Sequence, residues 1–380
     1  MRVLIATGAS GGHIFPALAL KESLERLSPS PRVLLVAPRK PLSERLLGED
    51  QQARFIPHCP VSRIALGDPR GWLDFARVWI ESARILARFK PDVVVGFGSF
   101  DSLPLVLLAW FIRAKTLVHE QNVLPGKANA LLAKFADKIA LSFAETKEFL
   151  PVNASRVAVT GNPLRSCLRA SPRADALRFF GFQDETPHVC TILVLGGSQG
   201  SSRINMTFCE AVCGDQQKGV RIVHITGERD QERVSRMYAD AGIRAKVFPF
   251  LKEMHLAYAA CDFAVTRAGA MTISELIRFS LPAVLVPYPY AQEHQKANAQ
   301  FLEKNGCAVI IKDDAFSVSV VRRAIADFSA DPDLLGRMRA GYQHIFKPDG
   351  GDSLAAEVVG LVRPDMPQER IRSVRRTHEV

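Results

Sequence analysis

The sequence predicts an α/β chain built as two doubly wound parallel-sheet domains facing a cleft, and three observations lead there. Short β-branched runs alternate with amphipathic helical stretches from the first residues onward, the order that produces βαβ units. The alternation lapses after residue 160 and then restarts, so the series occurs twice. At 380 residues the chain also exceeds what a single hydrophobic core usually serves.

Taken in order, Arg2–Thr7, Arg32–Pro38, Asp92–Gly98, Thr116–Gln121 and Lys138–Phe143 read as strands buried on both faces, because their apolar runs do not alternate with polar residues. Helical patterns stand between them at Pro16–Leu27, Gly71–Phe89, Leu103–Arg113 and Ala128–Ala136. The stretch Gly161–His188 contains Gly161-Asn162-Pro163, Ser171-Pro172 and Thr186-Pro187, breakers that mark a linker. Strands resume at Thr191–Leu195, Arg221–Thr226, Lys246–Phe250, Phe263–Thr266, Ala283–Pro287 and Ala308–Lys312, each with a helix after it. The predicted boundaries are 1–163 for the first Rossmann-like domain and 164–346 for the second. A last helix over 352–363 is expected to pack back on the first domain, and the Arg-rich tail 364–380 is too poor in apolar residues to fold.

Composition excludes several classes of function. Hydrophobic residues make up 47% and charged residues 23%, ordinary for a globular chain. The seven cysteines (Cys59, Cys167, Cys190, Cys209, Cys213, Cys261 and Cys307) form no C-x-x-C pair, so buried reduced thiols are expected and a zinc site is not. The N-terminus has neither the apolar run nor the cleavage site of a signal peptide. The longest apolar stretch, Leu103–Ile112, is half of the ~20 residues a membrane span needs. The net charge of +10 calls for an anionic partner. Residues 1–163 carry 21 basic and 14 acidic side chains, so most of the excess lies in the first domain. Nucleic acid is not expected, because no binding module or interleaved basic-aromatic pattern is present.

The first strand ends in Thr7-Gly8-Ala9-Ser10-Gly11-Gly12-His13, a glycine turn that can bring backbone N–H groups to an anion at a helix start. A dinucleotide site needs G-x-G-x-x-G and an acidic residue ending the second strand. Here Ser10 interrupts the glycines and Val36-Ala37-Pro38-Arg39-Lys40 offers no carboxylate, so no nicotinamide cofactor is expected. His13 is either a helix-start residue bonded to a nearby carbonyl or a general base able to accept a hydroxyl proton near neutral pH. Glu120, in His119-Glu120-Gln121-Asn122 at the same sheet edge, is the second candidate base.

In the second half, Gly196-Gly197-Ser198-Gln199-Gly200 can surround a diphosphate with N–H groups and the Ser198 hydroxyl. Thr266-Arg267-Ala268-Gly269-Ala270-Met271-Thr272-Ile273-Ser274-Glu275 starts a helix with small residues that leave room for phosphate. Glu275 is either a ligand for a ribose 2′,3′-diol or a capping-box glutamate. Gln295 and Asn298 share a helix face, so both amides could reach sugar hydroxyls. Asp331-Pro332-Asp333 looks like a metal-binding D-x-D but reads as an N-cap followed by proline, so no metal is expected.

These motifs, with Pro16-Ala17-Leu18-Ala19 and Gly161-Asn162-Pro163-Leu164-Arg165, resemble in order and spacing the MurG family of N-acetylglucosaminyltransferases over residues 1–362. The resemblance implies a GT-B fold and a UDP-N-acetylglucosamine donor. It implies an inverting, metal-independent transfer to the 4-hydroxyl of N-acetylmuramic acid in lipid I, which yields lipid II for peptidoglycan. It implies that Ser10, Gly11 and Gly12 approach the donor diphosphate or the acceptor, that Asn122 and Arg165 contact donor or interdomain groups, and that Ser198 binds phosphate. The backbone near Leu251 would pair with uracil. Ala270, Met271, Thr272, Ile273, Ser274 and Glu275 would hold phosphates and ribose, and Gln295 the sugar. Two places depart from the family pattern: Ala9-Ser10, where Gly-Thr is usual, and Gly98-Ser99-Phe100-Asp101-Ser102-Leu103-Pro104, where G-G-Y-x-S-G-P is usual. Both fall on the expected acceptor side. A related glycolipid transferase, a sugar-nucleotide 2-epimerase and a non-catalytic UDP-sugar sensor are the alternative readings.

A lipid-linked acceptor implies a peripheral enzyme at the cytoplasmic face of the inner membrane. Trp72, Phe75 and Trp79 recur at helical spacing, flanked by Arg77 and Arg84, and Trp110 follows in the next helix. This stripe is either an interfacial patch meeting anionic lipid or the core face of a helix packed on its sheet.

Overall fold

The computed structural model describes residues 1–58, 69–182, 189–197, 200–214, 219–290, 293–345 and 350–363. The chain forms two compact units, Met1–Ser166 with the segment from Pro348 onward, and Cys167–Lys347.

In the first unit, β1 (Arg2–Ala6), β2 (Arg32–Pro38), β3 (Ala53–Ile56), β4 (Val93–Gly96), β5 (Lys115–Glu120), β6 (Lys138–Leu141) and β7 (Val157–Val159) form one sheet in the order β3-β2-β1-β4-β5-β6-β7. The strand pairings are parallel, with Val3 beside both Val33 and Val93. Both faces are covered, which is why the strands are apolar without alternation. On one face Ile14, Ala17, Leu20 and Leu24 of helix Gly11–Glu25 pack with Leu354, Ala355 and Val358 of helix Gly350–Val362. On the other, Val78, Leu86 and Phe89 of helix Pro69–Phe89 pack with Leu105, Val106 and Ala109 of helix Leu103–Phe111. The returning helix is tied at its rim by Arg26–Asp352 (2.8 Å) and Lys138–Glu357 (3.1 Å) ion pairs.

The second unit repeats the plan. Strands β8 (Cys190–Leu195), β9 (Val220–Ile225), β10 (Arg244–Phe248), β11 (Phe263–Thr266), β12 (Ala283–Leu285) and β13 (Ala308–Ile310) lie parallel in the order β10-β9-β8-β11-β12-β13. In both sheets the strand order reverses beside the first strand of the unit, between β1 and β4 and between β8 and β11. The crevice beyond the carboxyl ends of the strands at such a reversal is where doubly wound sheets bind ligands. Both glycine-rich loops open there.

Three local expectations change. The first helix begins at Gly11 and not at Pro16, because Ser10 takes the extended conformation of an N-cap (φ −89°, ψ 155°). Pro16 therefore lies inside the helix, where it forgoes a bond to the Gly12 carbonyl. The stretch read as linker contains helix Arg173–Phe179. Strands β3 and β7, four and three residues long, are too short to show a period in the sequence. The predicted tail 364–380 and Cys59 lie outside the described residues. Cys190, Cys209, Cys261 and Cys307 are buried, and burial pushes the thiols of Cys190 and Cys209 up to about 12, but Cys167 is exposed.

Candidate active site

At the first reversal, His13 stands in the opening turn of helix Gly11–Glu25 with its Nδ1 2.8 Å from the Ser10 hydroxyl. Its backbone N–H donates to the Ser10 carbonyl at 3.0 Å. Two glycines make room for the ring. A Cβ on Gly8 would lie 2.8 Å from His13 Nδ1, and one on Gly98, whose φ is +82°, would lie 3.4 Å from Nε2. The imidazole is thus lodged between the loops that follow β1 and β4, and it is partly exposed.

Glu120 is only 1% exposed and its carboxylate is fully engaged. Oε1 accepts from the Asn122 backbone N–H (2.9 Å) and side-chain amide (3.1 Å). Oε2 accepts from the Gly126 N–H (2.9 Å) and the Asn129 amide (2.8 Å). Four donors fill the acceptor positions of a carboxylate, so this residue organises the loop after β5 and has no site left for a substrate proton. Asn122, whose carbonyl accepts from Thr146, belongs to that loop. His119 beside it is fully buried, its Nε2 donating to the Gly161 carbonyl, and burial lowers its pKa to about 4. Arg165 lays its guanidinium 4.7 Å from the Phe15 ring centre, which brings a cation to the first helix.

At the second reversal, glycines are required by close backbone approach. A Cβ on Gly196 would meet Ser201 N at 2.2 Å, and one on Gly200 would meet Thr226 O at 2.1 Å. Ser198 lies outside the described residues. The facing loop leads into helix Ala270–Phe279, whose N-cap Gly269 supplies no capping side chain of its own at the positive end. Ala270, Met271, Thr272 and Ile273 form the first turn. Ser274 turns its hydroxyl back onto the Ala270 carbonyl (2.9 Å) and is occupied within the helix. Glu275 is the sixth helical residue, too deep for a capping box, which needs the third. Its Oε2 accepts from the Tyr258 hydroxyl at 2.6 Å.

Arg267 is buried and joins three elements, donating to Val286 O and Ser201 Oγ (both 3.0 Å) and to the Asp313 carboxylate. Gln295 uses its Oε1 to hold the N–H groups of Ala268 (3.2 Å) and Tyr288 (2.9 Å), and its side chain is partly exposed. Asn298 is fully buried and donates to the Ala268 carbonyl, so it braces the loop. Leu251, also buried, lies three residues beyond β10 at the same edge. Asp331 caps helix Pro332–Gly341 by accepting from Leu334 N at 2.8 Å. Sequence reasoning missed Tyr258, Asn129 and Arg267, since each acts through a partner distant in the chain.

The aromatic stripe is divided between surface and interior: Phe75 and Trp79 are half-buried, and the Trp79 indole nitrogen is buried. Val78, Ser82, Leu86 and Phe89 face inward, while Trp72 is 56% exposed and Leu73 and Ile80 are exposed. Phe75 links Trp72 and Trp79 through ring contacts of 6.1 and 5.9 Å. On the neighbouring helix Trp110 and Phe111 are exposed, the latter at 68%, with Phe135 5.2 Å from Trp110. Among the described residues no helix is long and apolar enough to cross a membrane.

Two doubly wound sheets, each with a glycine loop at its reversal, define a class of two-unit protein with a nucleotide-type binding crevice in each unit. Residues 3–141 match the glycosyltransferase family 28 N-terminal domain and residues 191–350 its C-terminal domain. A relative from Geobacter sulfurreducens, named UDP-N-acetylglucosamine--N-acetylmuramyl-(pentapeptide) pyrophosphoryl-undecaprenol N-acetylglucosamine transferase, is 34% identical over 96% of this chain and all of its own. One of the same name from Prosthecochloris aestuarii is 36% identical over 95% and 99%. The crystal structure of Acinetobacter baumannii MurG superposes with a TM-score of 0.74 at 26% identity, covering 94% of this chain and 99% of that one. The chain belongs to the MurG family of glycosyltransferases.

Proposed function

We propose that this chain transfers N-acetylglucosamine from UDP-N-acetylglucosamine to the 4-hydroxyl of N-acetylmuramic acid in lipid I, forming lipid II. The observation that carries the reading is the helix start at Ala270, with glycine at its N-cap and Glu275 one and a half turns further in. It offers a positive end to a diphosphate and a carboxylate to a ribose. The second unit takes the donor, with Ala270–Ile273 at the phosphates, Glu275 at the ribose diol, the Gln295 amide at the sugar and the backbone at Leu251 at the base. The first unit takes the acceptor, through the backbone of Ser10, Gly11 and Gly12.

His13 acts as the general base. The acceptor oxygen attacks the anomeric carbon as His13 takes its proton, the bond to the UDP oxygen breaks, and the configuration inverts. Negative charge grows on the departing diphosphate, where helix-end and glycine-loop N–H groups stabilise it without reorganising. Glu120 positions Asn122 and Asn129 and does not exchange a proton. The enzyme works as a peripheral protein at the cytoplasmic face of the membrane, docking Trp72, Trp110 and Phe111 among the acyl chains while Arg77 and Arg84 meet anionic headgroups.

Radiolabelled UDP-N-acetylglucosamine with a lipid I analogue tests the reaction. Label should enter the lipid product, and UDP-glucose and UDP-N-acetylgalactosamine should transfer poorly. Labelled free sugar without labelled lipid, or no UDP release, would defeat the reading in favour of an epimerase-like or sensor role.

A further inference from the structure

The loop that departs from the family pattern, after β4, carries a group of side chains that no step above uses. Asp101 is 2% exposed, yet both of its oxygens are bonded. Oδ2 accepts from the Ser99 hydroxyl at 2.9 Å, and Oδ1 lies 2.8 Å from His58 Nδ1. His58 follows β3 by two residues, and β3 is separated from β4 by β2 and β1. The contact therefore reaches over the strand ends from which the first glycine loop emerges. Ser99 stands against that loop: its Cβ is 2.6 Å from where a Gly8 side chain would begin, and His13 Nδ1 is 2.8 Å from the same point. Ser99 also holds a positive φ of +69°, a conformation a serine adopts only when its surroundings fix it.

A buried carboxylate needs donors, and here it chooses the tautomer of the histidine. Because the carboxylate accepts, Nδ1 carries a proton, and Nε2 is the ring atom left to meet a ligand. The His58 side chain is 43% exposed, and among the described residues Nε2 has no partner. A ring nitrogen fixed at the rim of the crevice that holds His13 fits a hydroxyl or amide group, which an N-acylated, peptide-bearing glycan displays. We propose that His58 recognises the acceptor substrate through Nε2, with Asp101 and Ser99 as positioning residues. This rests on the transferase reading, with the first unit as the acceptor side.

Steady-state kinetics with a short-chain lipid I analogue separates the possibilities. His58→Ala should raise the acceptor KM about tenfold, the loss of one hydrogen bond, and leave kcat and the UDP-N-acetylglucosamine KM within about twofold. His58→Gln, whose amide oxygen reaches toward the place of Nε2, should recover most of that loss. Asp101→Asn, which keeps the shape but loosens the ring, should raise the acceptor KM by about threefold. An unchanged acceptor KM in His58→Ala, or equal rises in both KM values, overturns the assignment. A wild-type enzyme that never turns over the analogue overturns the transferase reading, and this inference with it.

Discussion

The Tyr258 hydroxyl donates to Oε2 of Glu275 at 2.6 Å. Tyr258 is buried and stacks on Phe279, with ring centres 5.1 Å apart and planes 16° from parallel, so the donor is fixed before any ligand arrives. A carboxylate held in one rotamer loses less freedom on meeting a diol. Glu275→Ala should weaken UDP binding in calorimetry by about 1.5–3 kcal/mol, and Tyr258→Phe by less. Neither change should matter for 2′,3′-dideoxy-UDP. Equal losses for both nucleotides would make the pair a packing feature.

His13→Ala should lower kcat by about 10²–10⁴ while UDP affinity persists, as expected for loss of a general base. Glu120→Ala should fail differently. It strands several buried donors, at about 1–3 kcal/mol for each group left unsatisfied, so the melting temperature should fall together with activity. A fully stable but inactive Glu120→Ala would return proton transfer to that carboxylate.

Charge on the leaving diphosphate is assigned to backbone dipoles, so EDTA should leave the transfer rate intact. Loss of rate on chelation, restored by a divalent ion, would require a different mechanism.

Membrane docking should depend on both charge and apolar surface. Each cation near anionic lipid is worth about 1 kcal/mol, and less as salt rises. Co-sedimentation should therefore need anionic vesicles, decline with salt, and fall in an Arg77→Glu, Arg84→Glu double mutant and in Trp72→Ala, Phe111→Ala. Equal binding to neutral vesicles would contradict the basic contribution.

Stability should fall in mild acid because of two buried histidines. Burial lowers His119 from 6.5 to about 4 and His224 from 6.5 to about 3. His224 is held neutral between Tyr238 and Asn205. The unfolded chain binds these protons first, so stability drops as pH falls below 6.5 and levels only near 4 and 3. Each histidine contributes several kcal/mol to that decline, His224 more than His119. Urea unfolding at pH 7, 5 and 4 checks it, and His119→Asn should show a shallower slope.

The two sheets were legible because buried parallel strands leave unbroken apolar runs, and the ligand loops because close backbone approach demands glycine. Side-chain duties were less legible. Gln295 and Asn298 look alike at helical spacing, but a register of three residues leaves one partly exposed and buries the other fully. Glu120 ends a strand and Glu275 lies within two turns of a helix start, both at the binding edge. Only their donors, at Asn129 and Tyr258, tell a loop organiser from a poised ligand. Such partners lie 9 and 17 residues away and follow no period. The aromatic stripe on Pro69–Phe89 was ambiguous for a similar reason: periodicity shows that a face exists, while its neighbours decide what covers it.

Helix Gly350–Val362 gives the chain a particular order of birth. The second unit is an insertion between two parts of the first, and Gly350 marks the seam, where any Cβ would strike Asn162 O at 2.2 Å. Leu354, Ala355 and Val358 fill the groove beside Leu20 and Leu24, so the earlier-synthesised half waits with an open core until the residues beyond 350 have been made. A nascent chain halted before residue 350 should expose that groove and engage holdase chaperones. The inserted unit, with both of its ends already made, can close on its own first.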